Sequence, residues 1–345
     1  MRLTDRIVEN LRVERRVAGF PRSPLQLNGL GESDAELLRL PGADLLLAVT
    51  TDAIVEEIES GLYREPCLIG WMTVIASASD LAAVGADPLG ILLNQTLPAE
   101  LDPAWEAALQ AGIREACEAC GLFMLGGDTN SSDRVHMEST AIGTVPLGEA
   151  MLRSGAAPGD ALFATGRFGL GSVFAAEALG MRDAREPTRF RPPARLREGH
   201  LLRKFASCCM DTSDGALATF DELMRRSGVG IRLTSSVSEL LHTAAVDLVR
   251  SLELPSWVPL AGPHGEFELV FAVPTSRLEA LAAASEAAGI PLLHLGFLQE
   301  EPGLLLAPED GNRRLATAEI RNIAAGAAAD TRTFIARLRE MDSAS

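Results

Sequence analysis

Residues 89–129 read LGILLNQTLPAELDPAWEAALQAGIREACEACGLFMLGGDT, and the alternation of elements in this stretch decides the fold. Leu89–Leu97 has the length and apolar character of a strand, and Pro103–Cys120 has a helical pattern. Leu122–Leu125 reads as a second short strand, ending in Gly126-Gly127-Asp128-Thr129. Strand, helix and strand in that order make an α/β unit with a carboxylate at a strand end.

The same grammar extends in both directions. Upstream, Leu45–Val49 is a buried strand running into Thr50, Thr51 and Asp52, and Ile69–Val84 is too long and Ala-rich for a strand, so it reads as a buried helix carrying Asp80. Downstream, His136–Val145 completes a first α/β set. The turn residues of Gly155–Asp160 then punctuate the chain before a second set opens at Leu162–Thr165. A boundary near 147 divides the chain into 1–147 and 148–345. In the second part a helix is expected near 171–180, then a Pro- and Arg-rich connection near 184–196. A strand Ala206–Met210 ends in Asp211-Thr-Ser-Asp-Gly215, and a helix follows through Arg226, with Ser213 or Asp214 as its N-cap and an anion-favouring N-terminus. Residues 4–16 read as a surface amphipathic helix, and the Ala-rich stretch after Asp310 as a helical or loosely ordered tail of little chemical consequence.

Composition narrows the function. Of 345 residues, 47% are hydrophobic and 23% charged, which is globular rather than disordered. A net charge of −16 repels a nucleic-acid backbone, and it requires metal cations or a local basic residue wherever phosphates bind. No stretch reaches the ~18 consecutive apolar residues of a membrane span, and charges interrupt the N-terminal MRLTDRIVENLRVERRV, unlike a signal peptide, so a cytoplasmic protein is expected. Five cysteines fit no disulfide framework and read as buried reduced thiols.

Carboxylates at strand ends are the recurring feature: Asp52, Asp128, Asp211 and Asp214, with Asp80 buried among small residues. Each alone fits an Asx turn or helix cap. Together they need cations, and Mg²⁺ with a nucleotide phosphate answers that need. No P-loop, dinucleotide fingerprint, zinc motif or nucleophile elbow is present, and the five histidines have no ligand spacing.

Five ordered runs resemble thiamine-monophosphate kinase: TTDAIVEE (50–57), SASDLAAVGADPLG (77–90), GGDT (126–129), LRSGAAPGD (152–160) and DTSDG (211–215). That family belongs to the superfamily of aminoimidazole ribonucleotide synthetase, selenophosphate synthetase and the hydrogenase-maturation carbamoyl dehydratase. The resemblance covers about Gly29–Phe271. It implies a two-domain α/β (α+β) fold that dimerises through its N-terminal sheet, and direct in-line transfer of the ATP γ-phosphoryl to a small-molecule acceptor in thiamine biosynthesis. It implies Mg²⁺ ligands at Asp34, Thr50, Thr51, Asp52, Asp80, Asp128, Asp211 and Asp214. Of these, Asp128, Asp211 and Asp214 are the catalytic set, with nucleotide contacts at Gly127, Asp128, Ser213 and Arg153. Ser33 stands where the family's loop has its first Asp.

On the acceptor side the residues depart from the family: Glu59 replaces a histidine, Met72 a lysine and Ser131 an arginine. Gly265 replaces the first acid of Pro263–Leu269, and no stacking aromatic is found near Ala324–Phe334. Glu59, Glu266 and Glu268 would then form an acidic rim for a cationic or amine-bearing substrate. The acceptor is thus thiamine monophosphate or a divergent molecule. The alternatives are an ATP-dependent synthetase or dehydratase of the same superfamily, and a weakly catalytic nucleotide-binding protein.

Overall fold

A computed structural model describes residues 17, 19–182, 188–326 and 331–343. The helix expected at residues 4–16 lies outside them.

Two mixed sheets organise the chain. The first contains β1 (Glu36–Arg39), β2 (Leu45–Ala53), β3 (Asp87–Leu97), β4 (Phe123–Ser131) and β5 (His136–Pro146), in the order β1-β2-β5-β3-β4. Within this sheet, among the described residues, only β3 and β4 pair in parallel, because the helix α3 (Pro103–Cys120) crosses between them. Asp102 caps α3 by accepting from the Ala104 N–H at 3.0 Å, Pro103 suits the first turn, and Gly121 ends the helix at φ 63°. The second sheet contains β6 (Ala161–Ala164), β7 (Cys208–Asp211), β8 (Gly230–Leu233), β9 (Leu269–Val273), β10 (Leu293–Gln299), β11 (Gly303–Leu305) and β12 (Arg314–Leu315). Its order is β12-β11-β8-β10-β6-β9-β7. Among the described residues no strand crosses from one sheet to the other: the first ends at Pro146 and the second begins at Ala161.

Between α1 (Val55–Glu59) and α3 runs α2 (Pro66–Ala83), the helix that joins the two halves. It packs on α3, β2 and β5 and also touches β7 and α5 (Leu196–Leu202), an element of the second half after α4 (Leu170–Ala178). By length and composition α2 is apolar enough to cross a membrane, which the sequence reading did not register, but two-thirds of it is buried inside the protein. Its buried polar residues bond locally: Ser77 Oγ lies 2.6 Å from Ser139 Oγ, and Ser139 Oγ donates to the Thr73 carbonyl at 2.5 Å.

Two expectations need correction, and a third is met in its helical form. The strand expected at Leu122–Leu125 continues to Ser131, so Gly126-Gly127-Asp128-Thr129 lies within β4 rather than after it. There a Cβ on residue 127 would sit 1.9 Å from the Leu93 carbonyl oxygen, so glycine is required by strand approach alone. The N-cap of α6 (Ala216–Ser227) is Gly215, at φ 90°, in place of Ser213 or Asp214. A side chain at 215 would meet the Gly262 carbonyl at 2.0 Å. The region after Asp310 forms β12, α10 (Thr317–Gly326) and α11 (Thr331–Ser343), once α7 (Val237–Leu240), α8 (Thr243–Ser251) and α9 (Leu278–Ala288) have preceded them. Ile320, Phe334 and Leu338 are buried in the second half's core, so this segment is structural.

Leu81 on α2 is fully buried in the first core. Leu81→Ala should cost about 2–5 kcal/mol, read as a lower urea midpoint at unchanged m-value.

Candidate active site

Elements from both halves converge on one group of acids. The loop before β1 supplies Asp34, β2 supplies Asp52, α2 supplies Asp80 and β7 supplies Asp211. Asp34, Asp80 and Asp211 each place a carboxylate oxygen so that all three lie within 4.8 Å of one another. Hydroxyls fix them: Thr50 Oγ1 donates to Asp80 Oδ2 at 2.5 Å, Ser79 Oγ to Asp211 Oδ2 at 2.6 Å and Ser213 Oγ to Asp211 Oδ1 at 2.8 Å. Thr51, by contrast, faces along the sheet, donating to the Ser139 carbonyl at 3.1 Å.

Burial dominates the electrostatics. It raises the Asp34 pKa to about 6 despite the adjacent Arg153, and raises Asp80 well above the usual range with repulsion from Asp52, Asp211 and Asp34 added. Asp52 and Asp211 shift upward for the same first cause, although hydrogen bonds oppose the change. Asp214 is solvent-accessible at the mouth of the group, and enclosure by surrounding protein still raises it. Arg153 is the cation within the group: its Nη2 donates to Asp34 Oδ1 at 2.9 Å, and its backbone N–H donates to the Glu32 carbonyl at 2.8 Å. One guanidinium does not neutralise five carboxylates. Asp34 Oδ2 and Asp52 Oδ2 are buried without hydrogen-bond partners, and such oxygens suit a hard divalent cation.

The other expected site residues are placed differently. Ser33 is buried as a loop tie, accepting from Asn28 Nδ2 at 2.8 Å and donating to the Ala35 carbonyl at 2.6 Å. Asp128 is exposed on the edge strand β4, where it accepts from Asn130 Nδ2 at 2.9 Å, and it does not belong to the Asp34–Asp80–Asp211 group. Glu59 is exposed and paired with Arg134 at 2.7 Å.

The acidic rim expected from Glu59, Glu266 and Glu268 does not form. Glu266 is 7% exposed and accepts from the Gly171 N–H at 2.7 Å, at the start of α4, with burial pushing its pKa up to about 7. Glu268 is buried between Thr165, at 2.5 Å, and Arg195. Glu268 supports the DTSDG loop, since its N–H donates to Thr212 Oγ1 at 3.0 Å, and Glu266 supports the start of α4.

Sequence reasoning missed Ser79, which ties α2 to β7, and Glu57 on α1, whose Oε2 is buried without a partner. The signal for Ser79 was a run of small polar residues on an otherwise apolar helix. The signal for Glu57 was an acid one turn after Thr50-Thr51-Asp52.

Comparisons with known proteins give the chain its family. Residues 32–145 match the family described as AIR synthase related protein, N-terminal domain, so fold and site define a protein of the AIR synthase-related class. The thiamine-monophosphate kinase of Escherichia coli (strain K12) is 30% identical over 292 residues, covering 82% of this chain and 87% of that protein. That of Salmonella typhimurium (strain LT2) is 31% identical over 282 residues, covering 79% and 84%. The chain belongs to the thiamine-monophosphate kinase family, a family of ATP-dependent kinases. Among solved structures, AaThiL complexed with AMPPCP and TMP superposes with a TM-score of 0.73 at 21% identity, over 92% of this chain and 97% of that one. The hydrogenase maturation protein HypE in complex with ATP superposes with a TM-score of 0.67 at 21% identity, over 92% and 95%. At that identity both show the shared fold.

The raised carboxylate pKa values make a pH prediction. Below about pH 4 native and unfolded Asp34 are both protonated; as pH rises toward 6 the unfolded chain ionises first, and the native state loses relative stability. Glu266 extends the same sign to about 7. Thermal unfolding in EDTA should therefore show a lower Tm at about pH 8 than at about pH 5.5. Mg²⁺ at about 100 times its Kd should add about 2.7 kcal/mol, mostly at the higher pH. An EDTA-treated protein whose Tm rises with pH and ignores Mg²⁺ contradicts this account.

Proposed function

We propose that the protein transfers the γ-phosphoryl group of ATP directly to a small acceptor, thiamine monophosphate, with Mg²⁺ held by Asp34, Asp52, Asp80, Asp211 and Asp214. The observation that carries this reading is the group of buried carboxylates with unpartnered oxygens, set beside one buried arginine in a member of this kinase family. Mg²⁺ supplies charge neutralisation for the triphosphate, which a surface of net charge −16 would otherwise repel.

The residues' own roles follow from their placement. Arg153 offers its free Nε, buried and unpartnered, to a phosphate oxygen while Asp34 holds its other end. Ser79, Ser213 and Thr50 aim the carboxylates, so their orientation is set before ATP arrives. No nucleophilic side chain is needed, because phosphoryl transfer depends chiefly on positioning and charge stabilisation. Thr51, Gly127, Asp128 and Ser213 complete the proposed metal and nucleotide contacts.

We further propose that the working form is a homodimer in the cytoplasm, with the division into 1–147 and 148–345 separating the dimerising half from the other. All nine residues of edge strand β4 are exposed, and Phe123 (73%), Met124 (47%) and Leu125 (53%) make it an apolar edge suited to a second copy. A partner packed there would enclose Asp128, which one chain alone leaves in solvent.

Thiamine monophosphate and Mg-ATP followed by ³¹P NMR test the acceptor: thiamine diphosphate and ADP are expected. ADP plus inorganic phosphate formed only with an amide-bearing acceptor would favour a synthetase instead. Asp211→Asn should lower kcat by about 100- to 1000-fold. Asp128→Asn should do so as well if the site is shared between copies, and wild-type turnover in both would overturn the metal assignment. Phe123→Lys with Leu125→Lys should yield a monomer by light scattering, with turnover lost alongside.

A further inference from the structure

One acid near the site has no role in the foregoing. Glu57 lies on α1, reached from β2 through Ile54 alone, so the helix begins almost where Asp52 ends. Its carboxylate lies against its own backbone N–H, and Oε2 is buried without a hydrogen-bond partner. The charges that act on it are Glu56, Asp214 and Asp52, all acidic. Neighbouring Tyr63 is buried, and a phenol side chain offers no positive charge. Asp52 Oδ2, on the facing strand end, is also buried and unpartnered, and so is Oδ2 of Asp34, whose side chain is only 1% exposed.

A carboxylate oxygen removed from water with no hydrogen-bond partner of its own is costly, and packing does not explain why Asp34 Oδ2, Asp52 Oδ2 and Glu57 Oε2 are all left so. Arg153 is committed to Asp34. The Asp34–Asp80–Asp211 triangle accommodates one cation and does not include Glu57. We propose that Glu57 is a ligand of a second divalent cation, shared with Asp52 and bordered by Asp214. Mg²⁺ commonly keeps several waters and takes one or two carboxylates, so Asp52 and Glu57 suffice together with water or substrate phosphate oxygens. The inference rests on the phosphotransferase reading, and it assigns to this chain a metal-binding acid beyond the set that the family motifs supply.

The test counts cations rather than turnover. Mn²⁺ binding to the full chain, with a non-hydrolysable ATP analogue present, is measured by the EPR signal of free Mn²⁺. Wild type is expected to show at least two Mn²⁺ per chain. Glu57→Gln should lose one of them, or weaken that class about tenfold or more, while the remaining class keeps its affinity. Glu57→Asp, with a shorter reach, should retain the count at reduced affinity. Unchanged count and affinities in Glu57→Gln would overturn the inference and leave the kinase reading intact. A wild-type chain that binds no Mn²⁺ would remove both. If Glu57→Gln does not fold, Glu57→Asp decides alone, since wild-type Mn²⁺ affinities in that variant would equally overturn the assignment.

Discussion

Crowding of like charge in a buried volume is the constraint on which the rest of the structure depends. Asp34, Asp52, Asp80 and Asp211 come from four different elements, and no arrangement of them is tolerable without either protons or cations. The fold does not relieve this repulsion with basic side chains. It supplies one arginine and several hydroxyls, which fix direction without cancelling charge. An apolar core of the same volume would be more stable, so the group is held together by packing elsewhere, chiefly by the long helix α2.

Helix α2 can do this because its composition is unusual. Its Ala and Gly residues permit close approach to α3, its large apolar residues fill the first core, and its last turns carry Ser79 and Asp80 to the second sheet. The 2.6 Å bond from Ser79 to Asp211 therefore couples the register of one sheet to the carboxylate of the other. A single helix end fixes the relative position of two acids that lie 131 residues apart in sequence, by 211 − 80.

Much of this was legible in the sequence. Strand ends are where apolar runs give way to Asp, and that rule locates Asp52 and Asp211, while Asp80 stands out as the acid within a small-residue, apolar helix. The rule failed where a side chain's environment depends on non-local pairing. Asp128 follows the same local pattern, yet β4 lies at the edge of its sheet and leaves it in solvent. Glu266 looked like a surface acid because its neighbours Pro263, His264 and Gly265 are turn residues. It is buried because the chain there folds against the start of α4, whose free N–H groups it satisfies. The region after Asp310 is helical, as one of its two readings had it; what composition concealed is that Ile320, Phe334 and Leu338 are spaced to enter the second half's core.

The two halves of the site therefore carry different kinds of information. On the proposed phosphate side, charge constrains both residue type and position, and the structure brings Asp34, Asp80, Asp211 and Arg153 together. On the acceptor side nothing so strict applies. Glu59 pairs with Arg134 at the surface, and Glu266 and Glu268 have become internal supports. Removing these acids from the candidate pocket also removes the argument for a cationic acceptor that rested on them. What remains near the carboxylates is a cation-demanding face, and a substrate that brings its own phosphate complements that face once the cations are in place. The proposed transfer from ATP to an acceptor carrying its own phosphate would make use of that preference.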